Sequence, residues 1–137
     1  TGINFDTVDF SFNNEVRFED SEVSVMNSRF QENCYEGVVV SGYYSDATAT
    51  ISTSNFVGSN NQAIAAYNDG ATASVYLDGV YLEANNGASV GEVDMSTNIP
   101  DSLATYPQYT GVTSVTNPAS SPVSLPYTGS GSPYCMF

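Results

Sequence analysis

The chain has 137 residues and a formal net charge of −13, from fifteen acids against two arginines, with no histidine or lysine. Two arginines cannot neutralise a run of phosphates or hold the chain to an anionic bilayer, which excludes nucleic-acid binding and electrostatic membrane adsorption. No apolar run approaches the ~18 residues of a membrane span, so membrane insertion is excluded as well.

Charged residues make up 12% of the chain, about half the ~25% usual in soluble domains. Its polar surface must therefore come from Ser, Thr, Asn and Gly. Residues 1–20 alternate, with apolar positions at Ile3, Phe5, Val8, Phe10, Phe12, Val16 and Phe18. Such alternation reads as half-buried strands, here broken by turns at Asn13-Asn14 and Glu19-Asp20. Val23 and Val25 continue it up to Phe30, and Val38-Val39-Val40 follows as a strand-sized run. Ala47, Ala49 and Ile51 alternate with Thr and Ser, then Phe56-Val57, Ala63 to Tyr67 and the turn Asn68-Asp69-Gly70. Ala73, Val75 and Leu77 open one more unit of the same kind, followed by Val80 to Leu82.

These units are near copies. Their aromatics stand at Phe10, Phe30, Phe56 and Tyr81, in steps of 20, 26 and 25, and each is followed by an asparagine: Asn13, Asn33, Asn60 and Asn85. Between the third and fourth units the register is open by one residue. Pairing the asparagines gives 25 and pairing Ala49 with Ala73 gives 24, which a bulge would reconcile. A period of 20–50 residues is the mark of a stacked repeat. Units of this length are too small for propeller blades, leucine is too scarce for leucine-rich repeats, and no segment has a capped helical period. The expectation is an all-β solenoid of about four rungs over residues 1–97, with an aromatic core ladder at the first four positions and an asparagine ladder at a corner. Each rung buries apolar surface that it could not bury alone.

All six prolines lie at or beyond Pro100. Residues 98–137, rich in Pro, Ser and Thr, read as an irregular tail and not as another rung. Its tyrosines at 106, 109, 127 and 134 and its Met136-Phe137 end suit packing on its own solenoid or on a neighbouring one. The chain opens on Thr1, which fits a processed mature protein or an excerpt of a longer one.

The Phe30-Gln31-Glu32-Asn33 and Phe10-Ser11-Phe12-Asn13 elements, the looser Phe56…Asn60 and Tyr81…Asn85, and Gln62-Ala63-Ile64-Ala65 resemble the F-x-x-N and G-G-A-I signatures of polymorphic outer-membrane-protein repeats. The resemblance covers about two-thirds of the chain. It implies a short right-handed parallel β-helix and roles in adhesion, surface display or extracellular structure. Other β-helices are polysaccharide lyases and hydrolases, so the fold does not fix the function.

Candidate chemistry is thin. A lyase would need Arg17 or Arg29 against a substrate carboxylate, and Arg29 is expected to point outward if Phe30 points in. A hydrolase needs paired carboxylates, and nothing singles out Glu83 with Asp94 or Glu32 with Glu36. Nucleophile systems that rest on histidine are excluded. The sequence is therefore read as not an enzyme, with no catalytic residue and no cofactor beyond a weak calcium candidate at Glu19, Asp20, Glu22 and Asp46. Thr48, Thr50, Ser52, Thr72 and Ser74 form a short outward ladder of the kind that orders water on ice-binding faces. Ordinary strand preference explains it equally well. Tyr43, Tyr44, Tyr67 and Tyr76 are candidates for stacking on sugars or proteins.

Cys34 and Cys135 lie 101 residues apart. An even count in a lysine-free, Ser/Thr-rich chain points to an oxidising compartment. A bridge within the chain, a bridge to a neighbouring subunit and two free thiols all remain open. Closed within the chain, the bridge would be worth about 4–5 kcal/mol in the chain-entropy model. An open solenoid ends in unpaired strands and exposed core, and no capping helix is visible in the sequence. The reading is thus an extracellular or cell-surface structural protomer that self-assembles with identical copies through its open ends and tail. The alternative is an adhesin-like module binding glycan or protein.

Overall fold

The computed structural model describes residues 2–59, 62–83, 85, 109, 110 and 112–125. Among them every regular element is a strand: β1 (Ile3–Asp6), β2 (Arg17–Glu19), β3 (Glu22–Met26), β4 (Arg29–Gln31), β5 (Val38–Gly42), β6 (Ala47–Ser52), β7 (Asn55–Val57), β8 (Ile64–Asn68), β9 (Ala73–Asp78), β10 (Tyr81–Glu83), β11 (Tyr109–Thr110) and β12 (Ser114–Thr116). They are dealt in rotation to three sheets. The first holds β1, β3, β6, β9 and β12, the second β4, β7 and β10, and the third β2, β5, β8 and β11. All pairings are parallel except that of β11 with β8. The chain is an all-β parallel solenoid.

The step between the later turns is 26 residues in every sheet: Ala49 lies beside Val75, Asn55 beside Tyr81 and Val38 beside Ile64. The expected steps of 24 or 25, and the bulge between them, are not found. A constant step returns each residue to the same place in the next turn, so inward residues stack on inward residues. In the first sheet it builds one apolar column from Phe5, Val25, Ile51, Leu77 and Val115, and another from Ile3, Val23, Ala49 and Val75.

Phe10, Phe30 and Phe56 form the aromatic ladder. Their rings stack at 4.8 Å and 14° between the first two, and at 4.3 Å and 3° between the last two. Tyr81 is not its fourth member. Leu82 pairs with Phe56, and Tyr81 lies beside Asn55 on the outward face. Apolarity decides the inward place, and Leu82 satisfies it without burying a hydroxyl in the core. Tyr81 is nonetheless buried and donates to the Glu83 carboxylate at 3.1 Å. The outer side of this sheet is tied to the tail: Asn55 donates to the Val123 carbonyl at 2.9 Å and accepts from the Val123 amide at 2.8 Å.

The asparagine ladder shifts in the same way. Asn33 accepts from the Asn13 amide at 2.9 Å and donates to the Gly37 carbonyl at 3.3 Å. Asn85 accepts from the Ser59 amide and donates to the Phe56 carbonyl. Ser59, not Asn60, stands between them, and Asn60 lies outside the described residues. The element is therefore apolar-x-x-Asn/Ser at one constant spacing in all four turns, with no inserted residue.

The tail contributes two short strands, β11 against β8 and β12 against β9. Ser114–Thr116 pairs parallel with β9 as a fifth member of the first sheet, and the Ala119 amide bonds the Val80 carbonyl. The stretch from Gly111 to Asn117 holds no proline, so its backbone can join the ladder.

The corner after the first sheet is a column of left-handed residues, Thr7, Asn27, Thr53, Gly79 and Asn117, with φ of 60°, 52°, 44°, 68° and 46°. This conformation is easy for Gly and tolerable for Asn, but it strains a β-branched residue. Thr53 is held there by donating to the Asn27 side chain at 2.7 Å, while Thr7 donates to Asp6 at 2.9 Å. A different constraint governs Gly37, where an added Cβ would lie 2.5 Å from the Ala63 carbonyl and 2.9 Å from the Phe56 ring.

Two stability outcomes follow. Phe30, fully buried between two rings, should cost about 3–5 kcal/mol as Phe30→Ala in denaturant unfolding. Thr53→Asn keeps a bonding side chain and suits the positive φ, and should gain about 1 kcal/mol in the same assay.

Candidate functional site

The interior closes in the middle of the coil and opens at its ends. Phe30, Phe56, Val25, Ile51 and Val75 are fully buried, whereas Ile3, in the column of Val23 and Ala49, is 51% exposed. Phe5, Phe10 and Val16 are partly buried against the same core. At this end Phe5 meets Phe10 edge-on at 5.3 Å and stacks near Phe18 at 5.8 Å. At the other end of the first sheet Val115 is 36% exposed. Among the described residues, both β1 and β12 are edge strands, each with one neighbour.

The two basic residues are engaged by acids. Arg29 meets Asp9 at 2.6 Å and Arg17 meets Glu15 at 2.9 Å. Glu83 accepts from Tyr81, Glu36 is buried while Glu32 is exposed, and Asp94 lies outside the described residues.

The acids first read as calcium candidates are not brought together as a site. One Asp20 carboxylate oxygen accepts three successive backbone amides, from Tyr43 at 2.6 Å, Tyr44 at 3.0 Å and Ser45 at 3.2 Å. Asp46 accepts the Thr72 amide at 3.0 Å one turn later. Glu19 and Glu22 are exposed on the third and first sheets. Among the described residues no group of three or more metal-ligating side chains forms. The Tyr43 amide, helped by those of Ser45 and Tyr44, holds the Asp20 carboxyl below its ordinary 3.8 despite partial burial. Asp6 is lowered by bonds from Asn27 and Thr7. At Asp9 burial pushes upward, but the Arg29 and Ser11 bonds outweigh it and the net direction is down.

The loop that Asp20 pins carries the exposed aromatics. Tyr43 and Tyr44 meet edge-on at 4.3 Å, 45% and 86% exposed. Tyr76 is an outward residue of β9 and Tyr67 a half-buried residue of β8, on another sheet. Among the aromatic contacts of the described residues, only Tyr43 and Tyr44 are paired within this set of tyrosines.

The flat Thr/Ser ladder is broken. The 26-residue step sets Tyr76 beside Thr50 and Asp78 beside Ser52, and Thr72 precedes the strand. Cys34 is buried at the corner beside Asn33, and no free cysteine occurs among the described residues. Cys135 lies outside them. The same corner, one turn on, holds buried side-chain atoms with no hydrogen-bond partner: Ser59 Oγ and both amide atoms of Gln62. Sequence reasoning missed the Asp20 cradle. Its signal was an Asp near the end of one strand unit and a two-tyrosine turn about 23 residues on.

No family model matches the chain, and neither the curated proteins nor the solved structures give a significant match.

Folding stabilised by a carboxylate of lowered pKa is fully present above the unfolded value and lost as pH falls through the folded one. The Asp20 contribution should therefore begin to fall below about pH 3.8, the ordinary value for an aspartate, and be lost as pH drops further through its lowered folded value. Acid unfolding followed by circular dichroism should show a flatter limb below that pH in Asp20→Asn than in the parent. An unchanged limb would show that the three-amide cradle does not act through charge.

Proposed function

We propose that the protein is a structural protomer of an extracellular filament or surface assembly, growing by end-to-end contact of identical copies. One observation carries the reading: the inward columns run out at β1 with Ile3 half-exposed and Phe5 and Phe10 incompletely covered. An apolar end with unpaired strand edges is a template for more strand. The tail reads less as a lace between neighbours, since β12 and Val123 bind the chain's own sheets.

Within this reading the coil is right-handed, as crossovers between parallel strands nearly always are, and its repeats are of the F-x-x-N type. Cys34 pairs with Cys135, which fits an oxidising, extracellular setting and would staple the corner that holds the orphaned Ser59 and Gln62 groups. The fold needs no cofactor and no catalytic role is assigned. The second reading is an adhesin-like module. It is favoured by the Tyr43–Tyr44 pair, whose loop is fixed before any ligand arrives and so loses little freedom on binding.

Negative-stain electron microscopy of the concentrated protein, with and without reductant, should reveal filaments in both conditions if the bridge lies within each chain. Loss of filaments on reduction would reassign the cysteines as links between subunits. Dispersed monomers at every concentration would falsify the assembly reading, and saturable glycan binding by such monomers would establish the second one.

A further inference from the structure

Among the described residues, the first sheet ends in β1 on one side and β12 on the other, with matching polarity. Its five strands run parallel from β1 to β12. A second copy displaced along the coil axis would therefore meet β12 with its own β1 in the parallel sense already used inside the molecule. The geometry points to a defined longitudinal interface, resting on the assembly reading above: β12 of one copy pairs with β1 of the next, Ser114 beside Asn4, Val115 beside Phe5 and Thr116 beside Asp6.

Three features of the columns fix this register. Val115 ends the apolar column that Phe5 begins, so Phe5 of the next copy covers a valine left 36% exposed. Ile3 of the next copy falls over Thr113, which continues its column through the bonds of Thr113 with Val75. At the left-handed corner Asn117 ends the column that Thr7 begins. Thr7 beside Asn117 would repeat the Asn27–Thr53 neighbours, linked at 2.7 and 3.3 Å within the coil. A shift by one residue would turn Val115 against a polar outward position.

The charges agree. Residues 112–125 contain no charged side chain in a chain of net −13. At the opposite edge Asp9 is neutralised by Arg29, and Asp6 would meet Thr116. Among the described residues, no acid stands directly opposite another across β12 and β1. The contact joins two different surfaces of one molecule, so it does not close on itself and propagates as a filament.

Disulfide trapping tests the register. Asn4 and Ser114 are both exposed and outward, and parallel neighbours lie about 4.8 Å apart, within reach of a bridge. The variant Asn4→Cys with Ser114→Cys, oxidised at assembling concentration, should give a ladder of covalent multimers on a non-reducing gel. Each single variant should stop at dimers. Asn4→Cys with Thr116→Cys, two residues out of register, should give no ladder, and the parent with its native cysteines sets the background. Val115→Glu should raise the concentration needed for assembly by roughly tenfold or more, since it buries an unpaired charge at the contact, and its melting, read beside the parent's, separates that effect from loosening of the terminal strand. Filaments on the grid without the Asn4/Ser114 ladder would overturn this register and leave the assembly reading standing. Absence of any species above monomer would overturn both.

Discussion

Each turn of this chain must lie on the previous one with the same faces inward, and the even 26-residue step is how the molecule meets that demand. A solenoid turn has too little apolar surface to bury by itself. It gains a core when Ile51 lies on Leu77, Val38 on Ile64 and Phe30 on Phe56. The near-parallel Phe rings add about 1 kcal/mol per pair beyond their burial. Because side-chain direction alternates along a strand, a one-residue slip in pairing would set Ile51 beside outward Tyr76 or Asp78 and lose the column. The positions that look most alike in the sequence are therefore not always the ones that stack.

Stacking also decides where polar groups can go. A coil must turn three times per rung, and each turn leaves backbone groups that the sheets do not pair. Asn33 and Asn85 take up amides and carbonyls at one corner, Asp20 takes three amides at another, and Thr53 bonds Asn27 at the third. Where serine stands in place of asparagine, at Ser59, the hydroxyl is buried and unpaired, as is the nearby amide of Gln62. Orphaned groups of this kind cost about 1–3 kcal/mol each.

Much of this was legible beforehand. Alternation located the strands, the period identified the solenoid, and Phe10, Phe30 and Phe56 were found as core because a large aromatic in a strand seldom faces water. Tyr81 reads as the fourth ring because it is aromatic, whereas Leu82, one residue on, is the residue that keeps the 26-residue step. Ser59 takes the corner place that the Asn-Asn pair suggests for Asn60, which lies outside the described residues. The strand at Ser114–Thr116 was hidden by its setting: prolines at 118 and 122 made the whole stretch look irregular. Asp20 reads from the sequence as a calcium candidate, because its three donors are backbone amides and only its place about 23 residues before a two-tyrosine turn marks the cradle.

The distribution of charge bears on how such a molecule could associate. Its exposed acids lie along the sides of the coil: Glu22 and Asp78 on the first sheet, Glu19 on the third, Glu32 and Asp46 at corners. Side-by-side packing would bring these acids face to face, with few bases to separate them, and repulsion of this kind keeps proteins soluble and apart. Residues 112–125 are uncharged, and at the β1 end Asp6 is an exposed acid while Asp9 is paired with Arg29. Among the described residues, less like charge would be opposed along this axis than across the sides, which favours growth in one dimension. In a stack built of nearest-neighbour contacts, a terminal turn lacks half of its interface and is the first to loosen. A second copy would supply the missing half to Ile3 and Val115 at once, so association and the stability of the ends draw on the same contacts.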